Sequence, residues 1–154
     1  KKEFGIGEIW LISSDRDWDL LIQEDVSRFS TVTRKEITLD NWEDHYDVEP
    51  DKYLTLKCLA GDTGDNIPGI AGIGPKRAVG LIDQYGDLYD IYNSCPIDSK
   101  YKFIQSLNEN VERLLLNAEL MDLESYSEQA LIEADINLED LSSQITGYLN
   151  ENRD

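Results

Sequence analysis

The run GDTGDNIPGIAGIGPKRA, residues 61–78, decides the reading of this chain. Asp62 and Asp65 stand three residues apart, close enough to share one turn. Taken alone, Gly61–Asn66 reads as a helix C-cap followed by an Asx turn. The glycines that follow resemble a phosphate loop, so the standard forms are tested first. A Walker A motif opened by Gly69 puts Gly74 in place but requires lysine where Pro75 stands; a dinucleotide fingerprint opened by Gly72 requires glycine or alanine where Arg77 stands. Neither is preceded by a strand. What remains is a helix–hairpin–helix at about residues 66–84. In such a hairpin Gly69, Gly72 and Gly74 let the backbone approach a phosphate. Free N–H groups at the start of the second helix, opened by Pro75, bind the anion. Lys76 and Arg77 add charge on its first turn, Ile70 and Ile73 pin the turn to a core, and Ala78 permits close helix packing. This device grips phosphates rather than bases, so its binding is sequence-independent. The plain alternative is a Gly/Pro turn between two packed helices.

Working outward, Pro50 opens a helix that carries Tyr53, Leu54, Leu56, Lys57 and Leu59 and stops at Gly61. Downstream, the pattern is helical over 75–85, 88–94, 101–107, 111–120 and 138–149. Upstream, Glu8–Ser14 reads as a buried parallel strand, Leu20–Ile22 as a short helix, and Val26–Phe29 with Glu36–Leu39 as a hairpin around residues 31–35. Asp40 is an N-cap candidate for a helix through Trp42 and Tyr46. The fold class is therefore α/β, with a strand-containing piece over residues 1–40 and a helical region that carries the hairpin over 41–154.

Composition narrows the chemistry. The 154 residues hold 32 acids against 14 lysines and arginines, a net charge of −18. That balance argues against general nucleic-acid binding, which depends on cations neutralising phosphates. Yet no acid occurs from Ile67 to Leu81, where the only charges are Lys76 and Arg77. A basic window on an acidic body holds a phosphate backbone locally while repelling it elsewhere. Cys58 and Cys95 form no disulfide framework or thiolate site. The single histidine, His45, disfavours histidine-based metal sites and Ser–His catalysis. No apolar run reaches the ~20 residues of a membrane span and no signal-peptide pattern opens the chain. We therefore expect an intracellular, cytoplasmic protein with carboxylate chemistry. Because the only methionine is Met121 and the first strand needs neighbours, we also expect the C-terminal portion of a longer protein.

Asp15, Asp17 and Asp19 follow the first strand. Ligands of open α/β sheets sit beyond the carboxyl ends of strands. Carboxylates without histidine or cysteine suit Mg²⁺ or Mn²⁺. In an extended segment Asp15 and Asp17 point the same way and face one ion, while Asp19 caps the next helix. An EF-hand opened by Asp15 fails, because it requires glycine and glutamate where Leu20 and Val26 stand. A haloacid-dehalogenase-type phosphatase lacks its later lysine and acidic pair. A solvated acidic turn stays open.

Together, ISSDRDWDLLI (12–22), VSRFSTVTRKEITL (26–39) and GDTGDNIPGIAGIGPKRA (61–78) resemble the 5′-nuclease superfamily of flap endonucleases and 5′→3′ exonucleases. The likeness is to the bacteriophage type and to the nuclease domain of bacterial DNA polymerase I, and it covers roughly residues 8–120. It implies the C-terminal remnant of a PIN-like α/β nuclease core followed by a helical helix–hairpin–helix domain. It also implies a site of two divalent ions, Mg²⁺ or Mn²⁺, in which Asp15 and Asp17 are one carboxylate pair and Asp62 and Asp65 the other. Gly69, Gly72, Gly74, Lys76 and Arg77 correspond to the element that grips duplex DNA, and hairpin carbonyls to a K⁺ site.

The activity so implied is hydrolysis of DNA phosphodiesters at 5′ flaps or 5′ ends of duplexes. Full-length members carry further metal-binding carboxylates and a basic arch in an N-terminal half that is not visible in this sequence, so this chain alone is expected to be an incomplete enzyme. Two other readings stand beside it: a non-catalytic helix–hairpin–helix module that binds duplex DNA, and an acidic interaction domain that does not touch DNA. His45 reads as a surface helix residue, Trp10, Trp18 and Trp42 as packing residues, and Lys100 and Lys102 as solvated lysines.

Overall fold

A computed structural model describes residues 4–152. Strand β1 (Ile9–Ile12) runs parallel to β2 (Val26–Phe29), with Ile9 opposite Val26 and Ile12 opposite Phe29. β2 pairs antiparallel with β3 (Glu36–Ile37), so the sheet order is β1-β2-β3. The expected parallel strand and hairpin are present, but β1 is not a buried strand. Trp10 and Ile12 are exposed, because β1 is an edge and its alternate side chains have no cover.

Between β1 and β2 the chain makes a 3₁₀ helix, Arg16–Leu21, earlier than the expected helix at 20–22. Its N-cap is Asp15, whose carboxylate accepts from the Asp17 N–H at 2.9 Å. Asp19 caps nothing. It is buried, and its two oxygens accept from the Nε and Nη2 of Arg28, while the Tyr46 hydroxyl donates to it as well. Asp40 is not a cap either: the next element is a single 3₁₀ turn, Trp42–Asp44, and Asn41 spends its side chain on the Thr38 N–H. Trp42 closes the small core of Ile22, Ile37 and Tyr53 and donates its indole N–H to the Val48 carbonyl at 2.6 Å.

A 3₁₀ turn at Pro50–Lys52 leads into helix α1 (Tyr53–Ala60), which ends at Gly61 with φ of +79°. That left-handed stop is glycine's conformation. Two-residue strands β4 (Gly61–Asp62) and β5 (Ile67–Pro68) then pair antiparallel. Helix α2 (Pro75–Tyr85) starts on Pro75 and stops at Gly86. Helices α3 (Leu88–Ser94), α4 (Lys102–Glu109) and α5 (Glu112–Met121) complete the main core around Leu59, Ile91, Leu107 and Leu114. Two helices follow, α6 (Ser127–Glu133), which periodicity did not resolve, and α7 (Leu138–Glu151). The fold is mixed α/β. No described helix is long and apolar enough to cross a membrane. Both cysteines are free, and burial pushes the Cys58 thiol up to about 12.

A carboxylate cluster beside a glycine hairpin

The loop 61–74 is held by its own backbone before any ligand is considered. Gly61 and Gly69 lie against each other where the chain leaves α1 and returns. A Cβ on Gly61 would stand 2.7 Å from the Ile67 carbonyl oxygen, and one on Gly69 would stand 2.5 Å from that of Leu59. Asn117 on α5 staples the crossing from below: its buried amide donates to the carbonyls of Cys58 at 2.9 Å and Pro68 at 3.0 Å. Within the loop, Asp62 Oδ1 accepts from the N–H groups of Gly64 and Asp65, an Asx turn. The plain reading of this turn and the clustering of its acids thus coexist.

That turn aims Asp62 and Asp65 at the 3₁₀ helix after β1. Carboxylate oxygens of Asp17, Asp62 and Asp65 all lie within 4.8 Å of one another. Asp15 is not in this group. The expectation that Asp15 and Asp17 face one ion assumed an extended segment, but the strand ends at Ile12 and the 3₁₀ turn breaks the alternation. Asp15 uses its carboxylate to cap that turn.

Lys57 joins the cluster from α1. Its ammonium is 2.9 Å from Asp62 and also bonds Asp17, and it is almost fully buried. Burial alone would lower its pKa, but the bonds to Asp17 and Asp62 outweigh burial and hold it above its ordinary value. In return, the Lys57 bond holds the Asp62 carboxyl below the ordinary carboxylate range. Asp65 has no such partner. Its contact with Asp17, reinforced by the charges of Asp17 and Asp62, raises its pKa. Three carboxylates around one ammonium leave negative charge uncompensated, and all the donors are hard oxygens. Such a set fits a divalent cation of the Mg²⁺ or Mn²⁺ class.

The hairpin lies immediately beyond. Ile70 and Ile73 are buried as expected, and Ala78 is fully buried. Gly72 has φ of +80°, and Gly74 is the N-cap of α2. Gly69 serves the crossing with Gly61 rather than an open face. Lys76 is exposed. Arg77 is less free: it donates to the Gly72 carbonyl at 2.6 Å and lies 4.6 Å above the Phe103 ring.

Sequence reasoning missed Lys57, Asn117, Arg28 and Tyr46. The one available signal was Lys57 itself, a cation inside the apolar stretch Leu54–Leu59. His45 closes the 3₁₀ turn at Trp42–Asp44 half-buried rather than riding a surface helix.

The family described as 5′-3′ exonuclease, C-terminal SAM fold, matches residues 48–146. The flap endonuclease of Escherichia phage T5 is 43% identical over 124 residues, which is 80% of this chain and 43% of that protein. A 5′-3′ exonuclease of Halalkalibacterium halodurans is 33% identical over 118 residues, 74% of this chain and 39% of that protein. Among solved structures, the bacteriophage T5 flap endonuclease in a pseudo-enzyme-product complex with DNA and metal ions superposes with a TM-score of 0.80. Identity there is 38%, covering 94% of this chain and 53% of that one. The chain thus spans less than half the length of these two curated relatives. With the matched residues running from the turn before α1 into α7, through both the crossing and the hairpin, the chain belongs to the 5′-3′ exonuclease C-terminal family.

Proposed function

We propose that this chain supplies one metal-ligand set and the duplex grip of a structure-specific 5′-nuclease. Its reaction is hydrolysis of DNA phosphodiesters at 5′ flaps or 5′ ends of duplexes, by a two-metal mechanism in the complete enzyme. The observation that carries this reading is the convergence of Asp17 with Asp62 and Asp65 beside the Gly72–Arg77 turn.

When bound, divalent ions in such an enzyme activate a water and stabilise the leaving oxygen. The roles of this chain's own residues are more specific. Asp17, Asp62 and Asp65 present the oxygens that hold the cation, Mg²⁺ or Mn²⁺, and Asp15 joins the set if its side chain leaves the Asp17 N–H. Lys57 keeps Asp17 and Asp62 oriented toward the shared point. Gly72, Gly74 and Lys76 offer backbone N–H groups and charge to the duplex, and Arg77 braces the turn. A K⁺ at the hairpin carbonyls would share the Gly72 oxygen with Arg77. Residues 1–40 belong in this reading to the nuclease core, residues 41–154 to the helical DNA-binding region, and the remaining ligands to an N-terminal half. The enzyme works in the cytoplasm, that of a host cell if its source is a bacteriophage.

The test is the Asp62→Ala/Asp65→Ala double variant in the complete protein. Cleavage of a 5′-flap duplex in Mg²⁺ is expected to fall more than about 100-fold, beyond the loss typical of outer-shell metal partners. Flap binding in Ca²⁺ is expected to persist. Undiminished cleavage would overturn the assignment.

A further inference from the structure

A second cavity opens beside Arg16. Arg16, His45 and Tyr46 line both it and the larger recess that reaches Lys57 and Asp62. Its volume is about 190 Å³, and the rest of its wall is Ser14, Arg28, Ser30, Thr33, Lys35 and Ile37. No carboxylate lines it. That is unusual in a chain with 32 acids. Among the described residues, neither Arg16 nor Lys35 forms an ion pair despite that surplus.

The wall is built rather than loose. Arg28 is 4% exposed and rigidly held, since Asp19 and the Ser13 carbonyl engage three of the five N–H donors of its guanidinium. The rim is the turn between β2 and β3. Ser30 N–H donates to the Lys35 carbonyl at 3.0 Å, Arg34 N–H to the Ser30 carbonyl at 2.8 Å, and Ser30 Oγ accepts from the Thr33 N–H. Arg34 takes φ of +55° to close this turn, a conformation rare outside glycine.

We propose that this recess is a binding site for a phosphate group, held by Arg16 and Lys35 with His45 and the hydroxyls of Ser14 and Thr33. Arginine forks, an ammonium and hydroxyl donors with no competing carboxylate are the donor set of a tetrahedral oxyanion. The space exceeds what one phosphate fills, given ~30 Å³ per water. If the nuclease reading holds, on which only this next step rests, the guest is a strand phosphate one step from the metal ligands. The shared chemistry is the phosphate, whether it is a terminal monoester, an internal diester or a free ion.

The experiment is an NMR titration of the labelled chain at fixed ionic strength in EDTA, reading the His45 imidazole. Probes are inorganic phosphate, a 5′-phosphorylated thymidine dinucleotide and its 5′-hydroxyl form. Saturable shifts are expected, weakened about tenfold in Arg16→Gln/Lys35→Gln and unchanged in Lys100→Gln/Lys102→Gln, whose side chains do not line the recess. Both altered recess residues are exposed, so folding is not at stake. Tighter binding of the 5′-phosphorylated form identifies a terminal monoester, equal binding of both dinucleotides an internal diester, and response to inorganic phosphate alone a free-anion site. Shifts that never saturate, or that Arg16→Gln/Lys35→Gln leaves intact, overturn the proposal. A parallel Mg²⁺ titration separates the two ideas: Mg²⁺ binding without phosphate shifts removes the recess alone, and phosphate shifts without Mg²⁺ binding remove the nuclease reading alone.

Discussion

Lys57 Nζ lies 2.9 Å from Asp62 Oδ2, so an internal ammonium already occupies the side of the cluster that joins Asp62 to Asp17. The chain therefore carries a counter-ion for its own carboxylates. Its presence explains how three acids lie together in a protein of net charge −18.

Removing that ammonium should be costly. Lys57→Met leaves Asp17 and Asp62 facing each other and Asp65 with no cation. Metal-free stability is expected to fall by about 3 kcal/mol, as when one partner of a largely buried pair is lost. Added Mg²⁺ should recover more stability in the variant than in the parent. Thermal unfolding with EDTA and with Mg²⁺ checks both; equal stabilisation of the two proteins would disconnect Lys57 from the cation site.

Asp65→Asn should act in the opposite direction. The raised pKa of Asp65 marks a charge that its neighbours Asp17 and Asp62 disfavour, so neutralising it relieves repulsion. The metal-free variant is expected to melt slightly higher than the parent at pH 7, and its Mg²⁺ affinity to drop at least about tenfold. The pH dependence has a matching sign. A raised carboxyl pKa means the folded state takes up a proton above the ordinary value of 3.8, so mild acid first lessens this repulsion. Asp62, held low by Lys57, contributes stability that is fully present above 3.8 and lost as pH falls through its depressed value. Melting curves from pH 7 to pH 3 should therefore pass through a shallow optimum in the parent that Asp65→Asn flattens.

What the sequence revealed here follows from the range of the interactions involved. Pro50, Gly61, Pro75 and Gly86 punctuate the chain through local backbone sterics: Pro50 opens the 3₁₀ turn that leads into α1, Gly61 stops α1, Pro75 starts α2 and Gly86 stops it. Asp62 and Asp65 were legible because they are near neighbours in a turn. The shared direction expected of Asp15 and Asp17 fails because it carries period-two alternation three residues past the end of β1, into a 3₁₀ turn. Asp19, Arg28 and Tyr46 were not legible as a unit, since the bonds joining them span up to 27 residues and no local pattern announces a buried ion pair.

That buried unit ties the 3₁₀ helix carrying Asp17 to β2. Asp19→Ala would strand the Arg28 guanidinium in a site where it is 4% exposed, and a loss of about 3–5 kcal/mol is expected. Chemical denaturation measures it. Loss of Mg²⁺ affinity below the unfolding transition would show that the unit also positions Asp17.

Gly69 tests the crossing under the loop. An alanine there meets backbone on α1, with the Leu59 carbonyl oxygen 2.5 Å from the new Cβ, and backbone cannot swing aside as a side-chain tip does. Gly69→Ala is expected to destabilise by about 3 kcal/mol. Gly74→Ala, with open space around the position, should leave the melting temperature within about 2 °C. Equal effects in the two variants would contradict the close approach of Gly61 and Gly69.

Lys76 and Arg77 are adjacent cations with different employment, and that difference is measurable. Arg77 is committed to the Gly72 carbonyl and the Phe103 ring, whereas Lys76 is exposed and forms no ion pair among the described residues. If the hairpin holds a duplex, Lys76→Gln removes one phosphate contact. The slope of log affinity against log salt should then shrink by about 1, with no change in melting temperature. Arg77→Gln should lower the melting temperature as well, because the Gly72 turn loses its brace. Fluorescence anisotropy with a 5′-flap duplex across a salt series, beside thermal melts, reads both quantities. A Lys76→Gln protein with an unchanged salt slope would mean that the duplex does not sit on the first turn of α2.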